Sequence, residues 1–281
     1  MEEFILNNEK YIRMSFFFGI FLIMAIWELV APRRVLSVSK STRWLNNLGI
    51  VFLNSFIVRL IFPTAAVGMA LLAQECSWGL FNNFDLPSFV IVALSLIALD
   101  MMIYLQHVMV HAVPALWRLH WMHHADTDID VTTGSRFHPI EIILSMLIKF
   151  SAIVVLGAPI VAVLIFEVLL NATAMFNHSN VKLPITLDRI LRTLIVTPDM
   201  HRVHHSINDF ETNSNFGFNL SIWDRIFGTY QAQPVEGHIN MTIGIKQFRD
   251  TKWLSLPRLL LIPFIGGEGN YSINRRQWKG K

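Results

Sequence analysis

Ten of the eleven histidines in this 281-residue chain fall between His107 and His205, and eight of them form three tight groups. The groups read His107-x-x-x-His111, His120-x-x-His123-His124 and His201-x-x-His204-His205. On a helix, positions i, i+3 and i+4 share a face, so each group can aim two or three imidazoles at one point. The second group begins nine residues after the first, with Pro114 between, which leaves room for a break and a second short helix facing the same site. One i,i+4 pair alone would be unremarkable surface chance. Three boxes together are not, because clustered imidazoles are costly to desolvate without a metal.

Counting then constrains the metal. Eight nitrogen ligands overfill one tetrahedral or octahedral ion but suit two ions at four each, with further histidines raising the number. Zinc would accept such a site, and could substitute in purified protein, but it cannot activate dioxygen. Two irons with neutral imidazole ligands and open positions can. Soluble di-iron bundles use glutamates with Glu-x-x-His, and this chain contains neither that sequence nor the His-Glu-x-x-His of zinc peptidases.

The solvent of the fold is read from composition. Hydrophobic residues make up 53% of the chain and charged residues 15%, against about a quarter charged in an ordinary soluble domain, which points to lipid. The net charge of +3 does not indicate nucleic acid, since the basic residues flank apolar stretches instead of forming one run. The single cysteine, Cys76, excludes an intrachain disulfide framework. The first ten residues carry three glutamates and no basic leader, so the apolar run 14–31 is expected to be a retained helix.

Apolar spans are expected at about 14–31, 48–73 and 87–105, each long enough for a crossing of roughly 20 residues. Glu28 and Arg59 lie inside the first two and are expected to snorkel or to pair with each other. The run from Ile140 to Phe176 would be roughly 55 Å long as one helix, far more than a ~30 Å hydrocarbon core. Gly157-Ala158-Pro159 interrupts it, so two spans, 140–156 and 159–176, are expected to fold as a hairpin that returns His178 to the face holding His138. Loop charge gives the sidedness. Arg33, Arg34, Lys40 and Arg43 mark 32–47 as cytoplasmic, whereas 74–86 has Glu75 and Asp85 and no basic residue, which places the histidine boxes on the cytoplasmic face. Leu187, Ile190, Leu191, Leu194 and Ile195 follow helical spacing with Asp188, Arg189 and Arg192 opposite, which suits either an interfacial amphipathic helix or a core-facing one. The segment 253–266 is apolar but broken by Pro257 and Pro263, and is expected on the membrane or domain surface.

The order of these boxes, with Arg136-Phe137-His138-Pro139-Ile140-Glu141, Asn177-His178-Ser179-Asn180, Met200-His201-Arg202-Val203-His204-His205-Ser206 and Ile222-Trp223-Asp224-Arg225-Ile226-Phe227-Gly228-Thr229, resembles the fatty acid hydroxylase/sterol desaturase superfamily over about 100–230. The resemblance implies an all-α integral membrane fold, a bundle of about four or five membrane helices in one domain over 1–281, capped by a cytosolic histidine-rich metal site. It also implies two iron ions, O2 as co-substrate, and hydroxylation or desaturation of a sterol or fatty-acyl lipid. The metal ligands expected are His107, His111, His120, His123, His124, His201, His204 and His205. His178 is added because family members often supply further histidines between the second and third boxes, although Ala174 stands where some have another.

His138, before a proline at the start of a helix, is open between ligation, support of a ligand and a helix-start role. Asp100 and Asp224 are expected to accept the outer N–H of ligating imidazoles, whereas Asp126, Asp128 and Asp130 fit helix caps or surface ion pairs and His238 a surface position. No Gly-x-Gly-x-x-Gly is present, so electrons should come from a separate donor of the cytochrome b5, ferredoxin or reductase type. The rival classes are a membrane metal transporter, which would want ligands near the bilayer midplane, and a bis-histidine haem protein.

Overall fold

Each long apolar run forms a helix and stops where proline, glycine or charge stops it. The structure, a computed structural model, describes residues 2–62 and 64–266. Among these residues there is no strand, only three isolated β-bridges. The helices that position the site are α1 (Glu2–Val30), α2 (Lys40–Ile61), α3 (Ala66–Glu75), α4 (Ser88–Ala112), α5 (Pro114–His124), α6 (Pro139–Leu156) and α7 (Ile160–Asn177). Short helices follow, among them α8 (Ile185–Leu191), α9 (Pro198–His204), α10 (Asp209–Thr212) and α11 (Ile222–Ile226).

Among the described residues, five segments are long and apolar enough to cross a membrane: α1, α2 with α3, α4, α6 and α7. The chain is a multi-pass membrane protein. The run expected as one span over 48–73 is two helices, and α2 begins at Lys40, inside the expected loop. Pro63 in the sequence disfavours helix in the residue before it, and Phe62 leaves the helical region at φ −116° and ψ 86°. α6 and α7 form a hairpin. Gly157 ends α6 in the left-handed conformation at φ 64°, and a Cβ on the facing Gly79 would lie 2.1 Å from the Gly157 nitrogen. That close approach joins the hairpin tip to the loop between α3 and α4. Gln74 of α3 donates to Glu2 at the start of α1, so these ends all lie on one side. The ends of α1, α4 and α7 and the start of α2 and α6 lie on the other.

Glu28 and Arg59 do not pair. Glu28 is buried, accepts from the Val131 and Asn180 backbone amides at 2.7 and 2.8 Å, and pairs with Lys40 at 3.1 Å, whereas Arg59 is exposed. The carboxylate thus ties the end of α1 to the α5–α6 linker and to the segment after His178. The aspartates of that linker are also not surface groups. Arg43 of α2 donates to both Asp126 oxygens, at 3.1 and 2.7 Å, and to Asp130, while Arg136 stands 3.3 Å from Asp126. All five side chains of the Arg43–Asp126–Asp128–Asp130–Arg136 group are buried. Burial alone would raise Asp126, but the two guanidiniums hold it down at about 2. The 251–264 segment packs Leu254, Leu259 and Ile262 inward, the last two against Trp117 and Trp121 of α5.

A second charge group lies well inside the bundle. Glu167 of α7 is buried, with Lys149 of α6 at 3.1 Å and Arg13 of α1 at 3.0 Å. Removing one member of such a group leaves the others uncompensated, a loss on the order of 3 kcal/mol. Glu167→Gln should therefore lower the thermal midpoint of the detergent-solubilised protein by several degrees. An unchanged midpoint would show that the triad does not hold α1, α6 and α7 together.

Candidate metal centre

Two corners and one hairpin bring the histidines to a single region. Val113 breaks the chain between α4 and α5, with Pro114 at the first position of α5, so the second box folds back beside the first. The α6–α7 hairpin delivers His178 as the residue that caps α7. Thr197 caps α9 by accepting from the Met200 amide, and Pro198 opens that helix, which carries the third box.

The nine expected ligands converge as two sets, each with nitrogens within 4.8 Å of one another. His107, His111, His120, His124 and His204 form one; His123, His178, His201 and His205 form the other. Helical phase explains the division. In α5 the i,i+4 pair His120 and His124 faces the first set, and His123, about 100° around the helix from His124, faces the second. In the third box the i,i+4 pair His201 and His205 faces the second set, and His204 the first. Each HxxHH box thereby serves both sets. The two sets touch where His124 stacks on His205 at 4.6 Å between ring centroids.

The donor chemistry fits metal. His107, His120, His178 and His204 each place Nδ1 against an oxygen: Phe216 O at 2.9 Å, Glu141 Oε1 at 2.7 Å, Ala174 O at 2.8 Å and Ser214 O at 2.8 Å. A carbonyl or carboxylate can only accept, so Nδ1 carries the proton and Nε2 turns its lone pair inward. Nε2 of His120 and of His204, and both nitrogens of His124 and His205, are buried with no hydrogen-bond partner among the described residues. In the second set, Nε2 of His178 lies 3.2 Å from that of His123 and 3.0 Å from that of His201. Ring nitrogens this close either surround a cation or bond to one another, with His123 and His201 donating to the His178 lone pair. Burial and mutual repulsion push His123, His124, His201 and His205 well below the ordinary imidazole range, and burial lowers His178 to about 4. The rings are therefore neutral and able to ligate at physiological pH.

The remaining expectations fare differently. His138 joins neither set; its Nδ1 accepts from the Ile140 amide as the cap of α6, and its Nε2 meets Leu260 O at 3.3 Å. Of its three readings the structure gives the helix-start role. Asp100 and Asp224 hydrogen-bond to no imidazole. Asp100 accepts from Trp223 Nε1 at 2.8 Å and from the Asn219 and Leu220 amides; Asp224 accepts from the Phe216 and Gly217 amides at 2.7 and 2.8 Å. Both hold the 216–220 loop, and that loop presents the Phe216 carbonyl to His107. The carboxylate that does reach a clustered imidazole is Glu141, three residues after His138 and on the first turn of α6. Its place in Phe-His-Pro-Ile-Glu, at the start of the helix that leaves this face, was the available signal. His238 is buried, not surface, and donates or accepts with Gln233 at 3.0 Å near Asp199.

Gly134 shows how tightly the second set is supported. A Cβ there would lie 2.6 Å from Ala174 O and 3.0 Å from His178 Nδ1, wedged into the bond that orients His178. Gly134→Ala should weaken metal binding to the four-histidine set by about 10–100-fold, read as a split metal titration with the helix signal in circular dichroism retained. Two equal tight sites in this variant would contradict the role given to the Ala174 carbonyl.

Comparison with known proteins follows the same region of the chain. A family model described as fatty acid hydroxylase matches residues 92–229. An ornithine lipid hydroxylase of Rhizobium tropici is 32% identical over 146 residues, 51% of this chain and 42% of that protein. The alkylglycerol monooxygenase of Homo sapiens is 26% identical over 161 residues, 56% of this chain and 34% of its own length, and that of Danio rerio 28% identical over 186 residues, 65% and 41%. The chain thus spans less than half the length of these curated relatives. No solved structure gives a significant match. Residues 92–229, which hold all nine clustered histidines, match the fatty acid hydroxylase family.

Proposed function

We propose that this protein is an O2-dependent di-iron oxidoreductase that hydroxylates the acyl or alkyl chain of a membrane lipid. The observation that carries the reading is the division of nine buried imidazoles into sets of five and four, one iron to each. The names of the relatives, hydroxylase and monooxygenase, favour hydroxylation over desaturation, and the ornithine lipid and alkylglycerol in those names favour a chain-bearing lipid over a sterol. Iron, when bound, supplies reductive activation of O2 and removal of hydrogen from an unactivated C–H bond. One oxygen atom enters the product as hydroxyl and the other leaves as water, with two electrons and two protons consumed.

The chain's own residues set the conditions for that chemistry. Phe216, Ala174 and Ser214 carbonyls and the Glu141 carboxylate fix the tautomers of His107, His178, His204 and His120 before any metal arrives. Trp117, tilted against His111 at 4.5 Å between ring centroids, and Phe137, stacked on His123 at 4.4 Å, line the cluster with apolar rings that keep water out. Without a nucleotide fingerprint the electrons come from a separate donor of the cytochrome b5, ferredoxin or reductase type, which meets the centre on its cytoplasmic face. The basic 32–47 segment supports that sidedness.

The rival classes are less well supported. A transporter places ligands at the bilayer midplane, whereas these cluster at one end of the spans. A bis-histidine haem needs a flat slot between two facing imidazoles, whereas here imidazole packs directly on imidazole.

Lipid mass spectrometry of cells with and without the gene, grown under 18O2, tests the reading. A lipid carrying one labelled oxygen is expected, and it should vanish with His123→Ala or His204→Ala along with bound iron. A lipid that loses two hydrogens without label would replace hydroxylation by desaturation, and an unchanged lipid profile from iron-loaded protein would overturn the assignment.

A further inference from the structure

The polarity of α8 is inside out. Asp188 and Arg192 are buried and pair with each other; Asp188 also accepts from Thr197, and Arg192 donates to the Ala232 carbonyl. Ile185, Ile190 and Leu194 point outward, 71%, 63% and 63% exposed. Helix α11 repeats the pattern. Trp223 and Asp224 are buried while Ile222, Ile226 and Phe227 are exposed. The two helices form one unit: Ile195 bridges Leu220, the Ser221 amide donates to Leu194 O at 3.0 Å, and Arg225 donates to Arg192 O at 2.7 Å. The core-facing reading of 187–195 does not hold. A continuous apolar face turned away from the protein needs an apolar partner.

The depth of the unit identifies that partner. Asp100, which receives Trp223 Nε1, stands twelve residues along α4 from Ser88, or about 18 Å at 1.5 Å per residue. That distance falls short of the ~30 Å hydrocarbon thickness, so α11 is docked below the membrane boundary. Phe227 stacks on Tyr104 of α4 at 5.3 Å, beside exposed Leu105, which makes its face continuous with the lipid-facing side of that span. The 216–220 loop is wedged between α4 and α7, with Asn177 donating to Phe218 O at 2.9 Å and Thr173 bonded to Asn219. At the other end, the Lys182 amide donates to Ala31 O, where α1 ends. Exposed Lys182 therefore stands level with the end of α1, and exposed Arg189 follows it on α8.

We propose that the α8–α11 unit is a membrane-immersed wedge, its apolar face embedded among the acyl chains of the leaflet on the histidine side and Lys182 and Arg189 set against the headgroup phosphates. The wedge makes the lipid phase a structural partner of the loop that presents Phe216 O to His107. Acyl chains accordingly pack against the outer wall of the metal centre.

Bimane attached to single cysteines in a Cys76→Ser background tests the depth, with the full chain in phosphatidylcholine nanodiscs. Ile190→Cys and Ile226→Cys provide the wedge positions. Phe52→Cys is a lipid-facing control on α2, and Lys246→Cys an aqueous one. At both wedge positions, lipid brominated part-way down its acyl chains should quench as it does at Phe52→Cys, and iodide in the buffer should quench several-fold less than at Lys246→Cys. Iodide quenching equal to that of Lys246→Cys would place the face in water and overturn the proposal. Protection from both quenchers would mean that protein covers it, and would overturn it equally.

Discussion

The structure depends on the cost of burying nine imidazoles in one place. Each inward lone pair without a donor or cation costs on the order of 1–3 kcal/mol, so the cluster is tolerable only if metal repays it or the scaffold prevents its collapse. The scaffold is built for the second task. Buried charges surround the site at one remove: Arg43 holds Asp126 and Asp130, and Glu28 holds the amides of Val131 and Asn180. These groups fix the linker between α5 and α6 and the segment after α7. Removal of metal should then leave a preformed site instead of an unfolded one.

The pairing of boxes with metals follows from helix phase more than from the order of the boxes. Neither HxxHH box aims all three rings at one set here, since the i+3 ring lies about 100° around the helix from the i+4 ring. Two such helices, each giving two rings to one ion and one ring to the other, serve a pair of adjacent ions. The HxxxH of α4 completes one set and His178 the other. His178 matters out of proportion to its isolation in the sequence, because the four-histidine set has no spare ligand.

Much of this is legible in the sequence, and the remainder has a common reason for being hidden. The hairpin is readable because a helix through 140–176 is too long for a bilayer, and Gly157 takes the positive φ that ends α6. The three histidine boxes are readable because helical spacing is local, whereas their division into sets of five and four appears only in the structure. What stays hidden is pairing across long separations. Glu28 finds amides more than a hundred residues away, not Arg59, and Arg43 finds aspartates more than eighty residues away. Asp100 and Asp224 are residues of the expected type acting one step further out, through the backbone of the 216–220 loop. The apolar spacing of 187–195 marks a helix but not which side faces protein; only the burial of Asp188 and Arg192 decides that.

The claim at the centre of this account is that the two histidine sets hold two irons. Anaerobic titration of the metal-free, detergent-purified chain with ferrous iron, with bound metal counted by mass spectrometry, tests it directly. Saturation at two irons per chain is the predicted result. Saturation at one, or no iron retained, would contradict it.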